Sequence, residues 1–237
     1  MRIISGERKG KRLFSPPDGT TTRPMPDRVK EAIFNLLRGH CEDGPVLDAF
    51  AGTGSVGLEA ISRGAPRCVF IEKNRSIAHI LKKNIDHLDV ADRAELVQQD
   101  VLGPGALQRC PNPCHLMFFD PPYPLVRDRE GWERVRAQLE RFLPRLDETG
   151  FLVLRTPWPF LHLKHGESGL AQPPEESITL ELDDPEAEAK LEAWEAAFYA
   201  QAKTSYEDVD LTLDGADGPE THVYRHTAVH LYMRDSG

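Results

Sequence analysis

The chain has 237 residues, 40% hydrophobic and 28% charged, enough to bury a core in one large domain or in one domain with appendages. No apolar run approaches the ~20 residues a membrane helix needs, and the N-terminus shows no secretory h-region, so a cytoplasmic chain with reduced thiols is expected. The net charge of −9 is uneven: residues 1–38 carry nine Lys and Arg against four acids, residues 164–237 five against seventeen. Such a basic arm reads equally as a polyanion-binding surface or as a solvated face.

In chain order, "MRIISGERKGKRLFSPP" alternates apolar and basic residues around Gly6 and Gly10, which predicts a short hairpin with exposed cations. Pro24 and Pro26 then interrupt regular structure. Asp27 is a candidate N-cap for a helix whose apolar stripe is Val29, Ile33, Phe34, Leu36 and Leu37, stopped by Gly39. These first 40 residues form an expected extension, with residues 41–237 as the main domain.

From Val46 the pattern alternates between strands and helices. Strands are expected at 46–50, 68–72, 94–100, 116–120 and 150–156, and helices near 55–64, 75–88 and 131–146. Short apolar strands separated by helices predict an α/β fold, a parallel sheet with helices on both faces. Further on, "DDPEAEAKLEAWEAAFYAQAK" reads as a helix capped by Asp184, with Pro185 at N1 and Leu191, Trp194 and Phe198 on one face. "LTLDGADGPE" reads as a turn-rich loop, and residues 221–234 as one or two closing strands. "CPNPC", Cys110 to Cys114 followed by His115, has no second Cys or His cluster to complete a zinc site, and no metal is expected.

"VLDAFAGTGSVGLEA" places Gly52, Gly54 and Gly57 as G-x-G-x-x-G after a strand, the pattern of a dinucleotide-binding loop. Asp48, just upstream, suits a ligand carrying a positive amino-acid moiety better than a diphosphate. Glu72, ending the second strand, can accept from ribose hydroxyls, and Asp100, ending the third, from an adenine amino group. These acids favour S-adenosylmethionine over a nicotinamide dinucleotide. "DPPY" carries the choice further. An exocyclic amine on a base is a poor nucleophile because its lone pair is delocalised into the ring. If Asp120 accepts one N–H and the Pro121 carbonyl the other, the nitrogen is pyramidalised and its lone pair aimed at a methyl. Pro121 and Pro122 fix the backbone in advance, and Tyr123 offers a flat face to an unstacked base.

"RIISGERKGKRL", "TRPMPDRVKEAIFNLL", "VLDAFAGTGSVGLEAISRGA", "FIEKN" and "FFDPPY" follow the order and spacing of the RsmD-like methyltransferases, which the chain resembles over roughly residues 1–155. That resemblance implies a Rossmann-like seven-stranded methyltransferase sheet carrying an N-terminal β-hairpin and helix. It also implies methyl transfer from S-adenosylmethionine to N2 of a guanine in 16S rRNA, free or in an assembling small subunit, by a monomer. Asp48, Ala51, Gly52, Thr53, Gly54, Glu72, Lys73, Asp100 and Val101 would bind the cofactor, and Asp120 through Tyr123 the target amine. Arg2, Arg8, Lys9, Lys11, Arg12, Arg23 and Arg28 would contact RNA phosphates, which position a substrate without specifying the base. Two features depart from the family: an acidic insertion at 164–220, and Arg155 where an acid or polar residue is expected. The rival readings are a DNA adenine-N6 or cytosine-N4 methyltransferase, a dehydrogenase and a non-catalytic RNA-binding assembly factor.

Overall fold

The computed structural model describes residues 1–16, 25–164 and 205–235. The chain divides into two compact units, Met1–Trp158 with Leu211–Gly237, and Pro159–Asp210. The second unit contains a two-stranded antiparallel ribbon, Leu161–Leu163 against Tyr206–Asp208. The helix expected near 184–203 lies outside the described residues.

The first unit begins with a loop closed by a single antiparallel bridge, Arg2 to Arg12, a smaller structure than the hairpin expected there. Ile3 and Leu13 are buried beneath it. Helix α1 (Asp27–Leu36) follows. Its N-cap is Pro26, not Asp27; Asp27 is the first helical residue and pairs with Arg2 at 3.4 Å. Val29, Ile33, Phe34 and Leu37 are buried as the periodicity requires, whereas Leu36 is exposed.

The sheet is then laid down as β1 (Val46–Asp48), α2 (Ser55–Ser62), β2 (Cys68–Ile71), α3 (Arg75–Leu88), β3 (Ala94–Val97) and β4 (Cys114–Phe119). Next come α4 (Tyr123–Arg127), α5 (Arg129–Phe142) and β5 (Leu146–Pro157). After the 161–163 (β6) and 206–208 (β7) ribbon, β8 (Ala216–Tyr224) and β9 (Thr227–Arg234) complete it. The seven strands run in the order β3-β2-β1-β4-β5-β9-β8, parallel except where β9 joins β5 and β8 joins β9. Near-continuous burial of β1, β2 and β4 is what a sheet covered on both faces demands.

Three boundaries differ from the sequence pattern for local reasons. β3 stops at Val97, because the chain turns where Asp100 Oδ1 accepts the Leu102 N–H. α5 starts earlier, at an N-cap where the Asp128 carboxylate accepts the Gly131 N–H, and Pro144 follows its end. The segment 216–220, read as loop within the acidic insertion, belongs to β8 and pairs with β9. Among the described residues no helix is long and apolar enough to cross a membrane.

Candidate active site

Strand order reverses between β1 and β4, so the carboxyl ends of these strands frame the crevice where open α/β sheets bind ligands. The register aligns Asp48 with Phe70 and Phe118, and Phe119 with Leu154. Asp48, Glu72, Asp120 and Arg155 therefore reach the same edge from four adjacent strands.

The loop from Ala51 to Gly54 turns at this edge. Gly52 and Gly54 have φ of +54° and +86°, left-handed values that favour glycine. A Cβ on Gly52 would meet nothing within 4 Å, so the backbone there faces open space and a ligand can approach closely. At Gly57 the reason is packing: a Cβ would lie 2.4 Å from the Phe70 ring, and its absence lets α2 press on β2.

Several residues expected to hold the cofactor also brace this loop. Asp48 is buried, and its Oδ2 accepts the Gly57 N–H at 2.9 Å. It fixes the loop from beneath through that oxygen. Burial, joined by the charges of Asp120 and Glu72, pushes its pKa up to about 7 against the opposing hydrogen bond from Gly57. Glu72 accepts from Gly52 N–H at 2.9 Å and Asn74 N–H at 2.7 Å, and burial raises its pKa. Val101 is buried, and its carbonyl accepts from Gln138. Ala51 and Thr53 are buried in the loop, whereas Lys73 is exposed with its amine 4.0 Å from a half-exposed Asp100.

Asp120 lies immediately after β4, partly buried. Arg155 Nε donates to its Oδ1 at 2.7 Å and Nη2 to its Oδ2 at 3.0 Å, a two-pronged pair. Arg155 Nη1 also donates to Tyr123 Oη at 3.1 Å, and that hydroxyl donates to Thr227 Oγ1 at 2.8 Å. Burial opposes the Arg155 charge, but Asp120 and Tyr123 outweigh it and its pKa is raised. The guanidinium carbons of Arg155 and Arg127 lie 5.1 and 5.8 Å from the Tyr123 ring centre. A base stacking on Tyr123 shares that ring with these cations or displaces one. Pro121 is buried; Pro122 is exposed and caps α4, its carbonyl accepting from Leu125 N–H.

The arm docks against this machinery. Lys30 and Glu59, both fully buried, pair at 3.5 Å. The Glu59 carboxylate also accepts from the Ile4 and Ser5 N–H groups, and Lys30 donates to the Arg2 carbonyl. Buried Asn84 bonds both backbone groups of Phe14 and the Thr53 carbonyl, tying the arm to the glycine loop. Of the expected phosphate contacts, Arg2, Lys9, Lys11, Arg12 and Arg28 are exposed. Arg8 is committed elsewhere: its Nε donates to the Leu88 carbonyl at 2.8 Å, capping the end of α3. Arg23 lies outside the described residues. Lys30 and Asn84 were missed as connectors, although each is a polar residue set on a helix's apolar stripe, and that is their signal.

The donor set fits S-adenosylmethionine. Carboxylates from β1, β2 and β4 converge on one edge, and the upward shift of Asp48 records their mutual repulsion as well as burial. A cation placed there relieves that repulsion, whereas a diphosphate adds to it. Open space above Gly52 gives the ligand its backbone approach.

Residues 1–157 match the profile of a family described as Conserved hypothetical protein 95. The chain is 35% identical over 153 residues to Ribosomal RNA small subunit methyltransferase D of Escherichia coli strain K12, covering 65% of this chain and 70% of the relative. The solved structure of Escherichia coli yhhF superposes with a TM-score of 0.65 at 25% identity, covering 100% of this chain and 99% of that one. An RNA methyltransferase of Salinibacter ruber, solved with S-adenosyl-L-homocysteine, shares the fold at a TM-score of 0.53 and 14% identity, covering 91% and 95%.

Proposed function

The chain belongs to the family described as Conserved hypothetical protein 95, whose relatives include the small-subunit rRNA methyltransferases D, and from that premise we propose that it methylates N2 of a guanine in 16S rRNA. S-adenosylmethionine is the methyl donor, and when bound it supplies an electrophilic methyl on a positively charged sulfur. The observation that carries this reading is the meeting of Asp120-Pro121-Pro122-Tyr123 with the Gly52–Gly54 loop at the switch point between β1 and β4.

Each group has a distinct task. The loop backbone at Ala51 to Gly54 approaches the cofactor, held in shape by Asp48 and Asn84. Glu72 and Asp100 offer carboxylate oxygens to hydroxyls and to an amino group, with Lys73 beside Asp100. Asp120 accepts one N–H of the target amine and the Pro121 carbonyl the other, which frees the nitrogen lone pair. Arg155 fixes the plane of the Asp120 carboxylate by gripping both oxygens. Orientation of amine and methyl within a pre-formed site supplies most of the acceleration.

The exposed cations Arg2, Lys9, Lys11, Arg12 and Arg28 lie on or beside the arm that Asn84 ties to the loop, so they suit the phosphates of an RNA entering this edge. A monomer suffices for this chemistry.

The test is methyl transfer from labelled S-adenosylmethionine to unmodified 16S rRNA, free and as a small-subunit particle, read by nucleoside mass spectrometry. N2-methylguanosine is the expected product. Label on adenine N6 or cytosine N4 of DNA would keep the amine chemistry and reject the substrate. Cofactor binding without transfer to any nucleic acid would reject the enzyme.

A further inference from the structure

At the opposite edge of the sheet, away from Asp120, three potential ligands from distant parts of the sequence converge. His40 and Asp43 lie in the connection between α1 and β1, and His115 is the second residue of β4. His40 Nδ1 and His115 Nε2 are 3.1 Å apart, and Asp43 Oδ2 lies 3.7 and 3.6 Å from them. The last two separations are too long for hydrogen bonds, so the carboxylate oxygen faces two ring nitrogens and bonds to neither. The triangle has the size of a coordination face. A point equidistant from its corners lies about 2.0 Å from each, the length of a zinc–nitrogen or zinc–carboxylate bond.

The surroundings orient the buried histidine for that task. Its Nδ1 donates to Asp147 at 2.8 Å, which leaves the lone pair on Nε2 facing His40 and Asp43. A carboxylate behind a ligating imidazole is the usual outer partner of a metal-bound histidine. β5 provides it through an irregularity: pairing passes from Cys114↔Leu146 to Leu116↔Phe151, so residues 147–150 bulge opposite His115. Bulges commonly re-aim a side chain. Close packing holds the ring: a Cβ on Gly44 would lie 2.7 Å from the His115 Cβ, and one on Gly150 would lie 2.3 Å from the His115 carbonyl oxygen. Phe151 meets the His40 ring edge to face at 5.0 Å.

We infer that His40, Asp43 and His115 bind a divalent ion of the zinc class, with Asp147 as the outer partner and a solvent molecule at the fourth position. Two imidazoles and one carboxylate select zinc, cobalt or nickel over magnesium or calcium. Asp43 is 56% exposed, so the ion enters from solvent. The site pins the connection leaving α1 to the beginnings of β4 and β5, and its role is structural, since β4 separates His115 from Asp120 by its own length. The sequence pattern raises the metal question at Cys110, Cys114 and His115 and leads to no metal being expected there. The ligand set keeps His115 of these three and reaches back more than 70 residues.

Zinc titration of chelator-stripped protein, in competition with a chromophoric chelator, tests the site. One equivalent is expected, bound at micromolar or tighter affinity and accompanied by a rise in Tm. His40→Gln and Asp43→Asn alter exposed or half-exposed side chains, keep the fold, and should each weaken binding at least ten-fold. Asp147→Asn should weaken it by about 10- to 100-fold. Cobalt in place of zinc should give tetrahedral ligand-field bands without thiolate charge transfer. Absence of saturable binding, unchanged affinity in His40→Gln, or thiolate-to-cobalt charge transfer assigning the ion to cysteines would each overturn the site.

Discussion

Arg155 and Asp120 stand side by side at the ends of neighbouring parallel strands, joined by hydrogen bonds of 2.7 and 3.0 Å that engage both carboxylate oxygens. Their side chains are 11% and 21% exposed, so the pair is largely desolvated. Arg155 thus orients the group proposed to accept the target amine. Arg155→Lys replaces the planar fork by a point charge and loses the two-pronged grip. Single-turnover methyl transfer should fall by roughly 10²-fold, the usual consequence of slight misplacement, while cofactor affinity stays within about two-fold. A faster variant would mean that the pair restrains Asp120 instead of aiming it. Asp120→Asn is the sounder probe of the carboxylate: it too removes the counter-charge of Arg155, but it keeps the side-chain shape and one oxygen acceptor that Asp120→Ala would lose.

This pair also marks where sequence reading stops. The parallel sheet was legible because strands 46–48, 68–71 and 114–119 are short apolar runs between amphipathic helices, and the loop because Gly52 and Gly54 punctuate it. The register of β4 against β5, which places Arg155 beside Asp120, depends on strand pairing across 35 residues and leaves no local trace. Arg155 was visible only as a charge at an unexpected position. The same limit hid Asp48's partner within the fold: a linear chain does not show that one of its oxygens accepts from Gly57. Helix ends were read to within a few residues, and missed where a proline or an Asp side chain supplied the cap, as at Pro26 and Asp128.

The buried Lys30–Glu59 pair should govern docking of the arm. Burial lowers the Lys30 pKa, and Glu59 acts against that shift. Glu59→Gln leaves an ammonium enclosed without its counter-charge, a change that costs about 3–5 kcal/mol. It also weakens acceptance from Ile4 and Ser5. Urea unfolding should show the loss, and trypsin should cut faster at Lys9 and Lys11. Equal cleavage rates in variant and parent would show that the arm is held by its apolar residues alone.

His230 should subtract stability in mild acid. Burial lowers its pKa from 6.5 to about 4, with Thr156 and Thr221 hydroxyls on its two ring nitrogens. Above pH 6.5 the ring is neutral folded or unfolded. Between 6.5 and 4 only the unfolded chain takes up the proton, so as much as about 3 kcal/mol is lost as the pH falls through this window. Asp48 acts in the opposite sense. Its pKa is raised from 3.8 to about 7, so its contribution is complete below 3.8 and is lost as the pH rises through 7. Over pH 4–6.5 the two slopes oppose each other and largely cancel, so each variant unmasks the other group. Unfolding free energy should fall as the pH rises from 4 to 7 in His230→Gln and rise from 4 to 6.5 in Asp48→Asn. Parallel curves for parent and variants would refute both assignments.

The basic arm separates into residues that can meet phosphate and one that holds the fold, and salt dependence should tell them apart. Lys9, Lys11 and Arg12 are exposed, whereas Arg8 spends its guanidinium on the carbonyls of Leu88 and Asp89. Each phosphate contact removed should reduce the slope of log affinity against log salt by about 0.7 for single-stranded RNA. Alanine at Lys9, Lys11 and Arg12 together should therefore flatten the slope by about 2 and weaken binding with little regard to sequence. Arg8→Ala should leave that slope nearly unchanged and lower Tm, because the last turn of α3 loses the side chain that satisfies its carbonyl groups. Fluorescence anisotropy with a labelled 16S fragment at several salt concentrations, beside thermal melts, reads both effects. If Arg8→Ala changed the slope as much as its neighbours do, Arg8 would have to leave α3 when RNA binds, and the arm would move on binding.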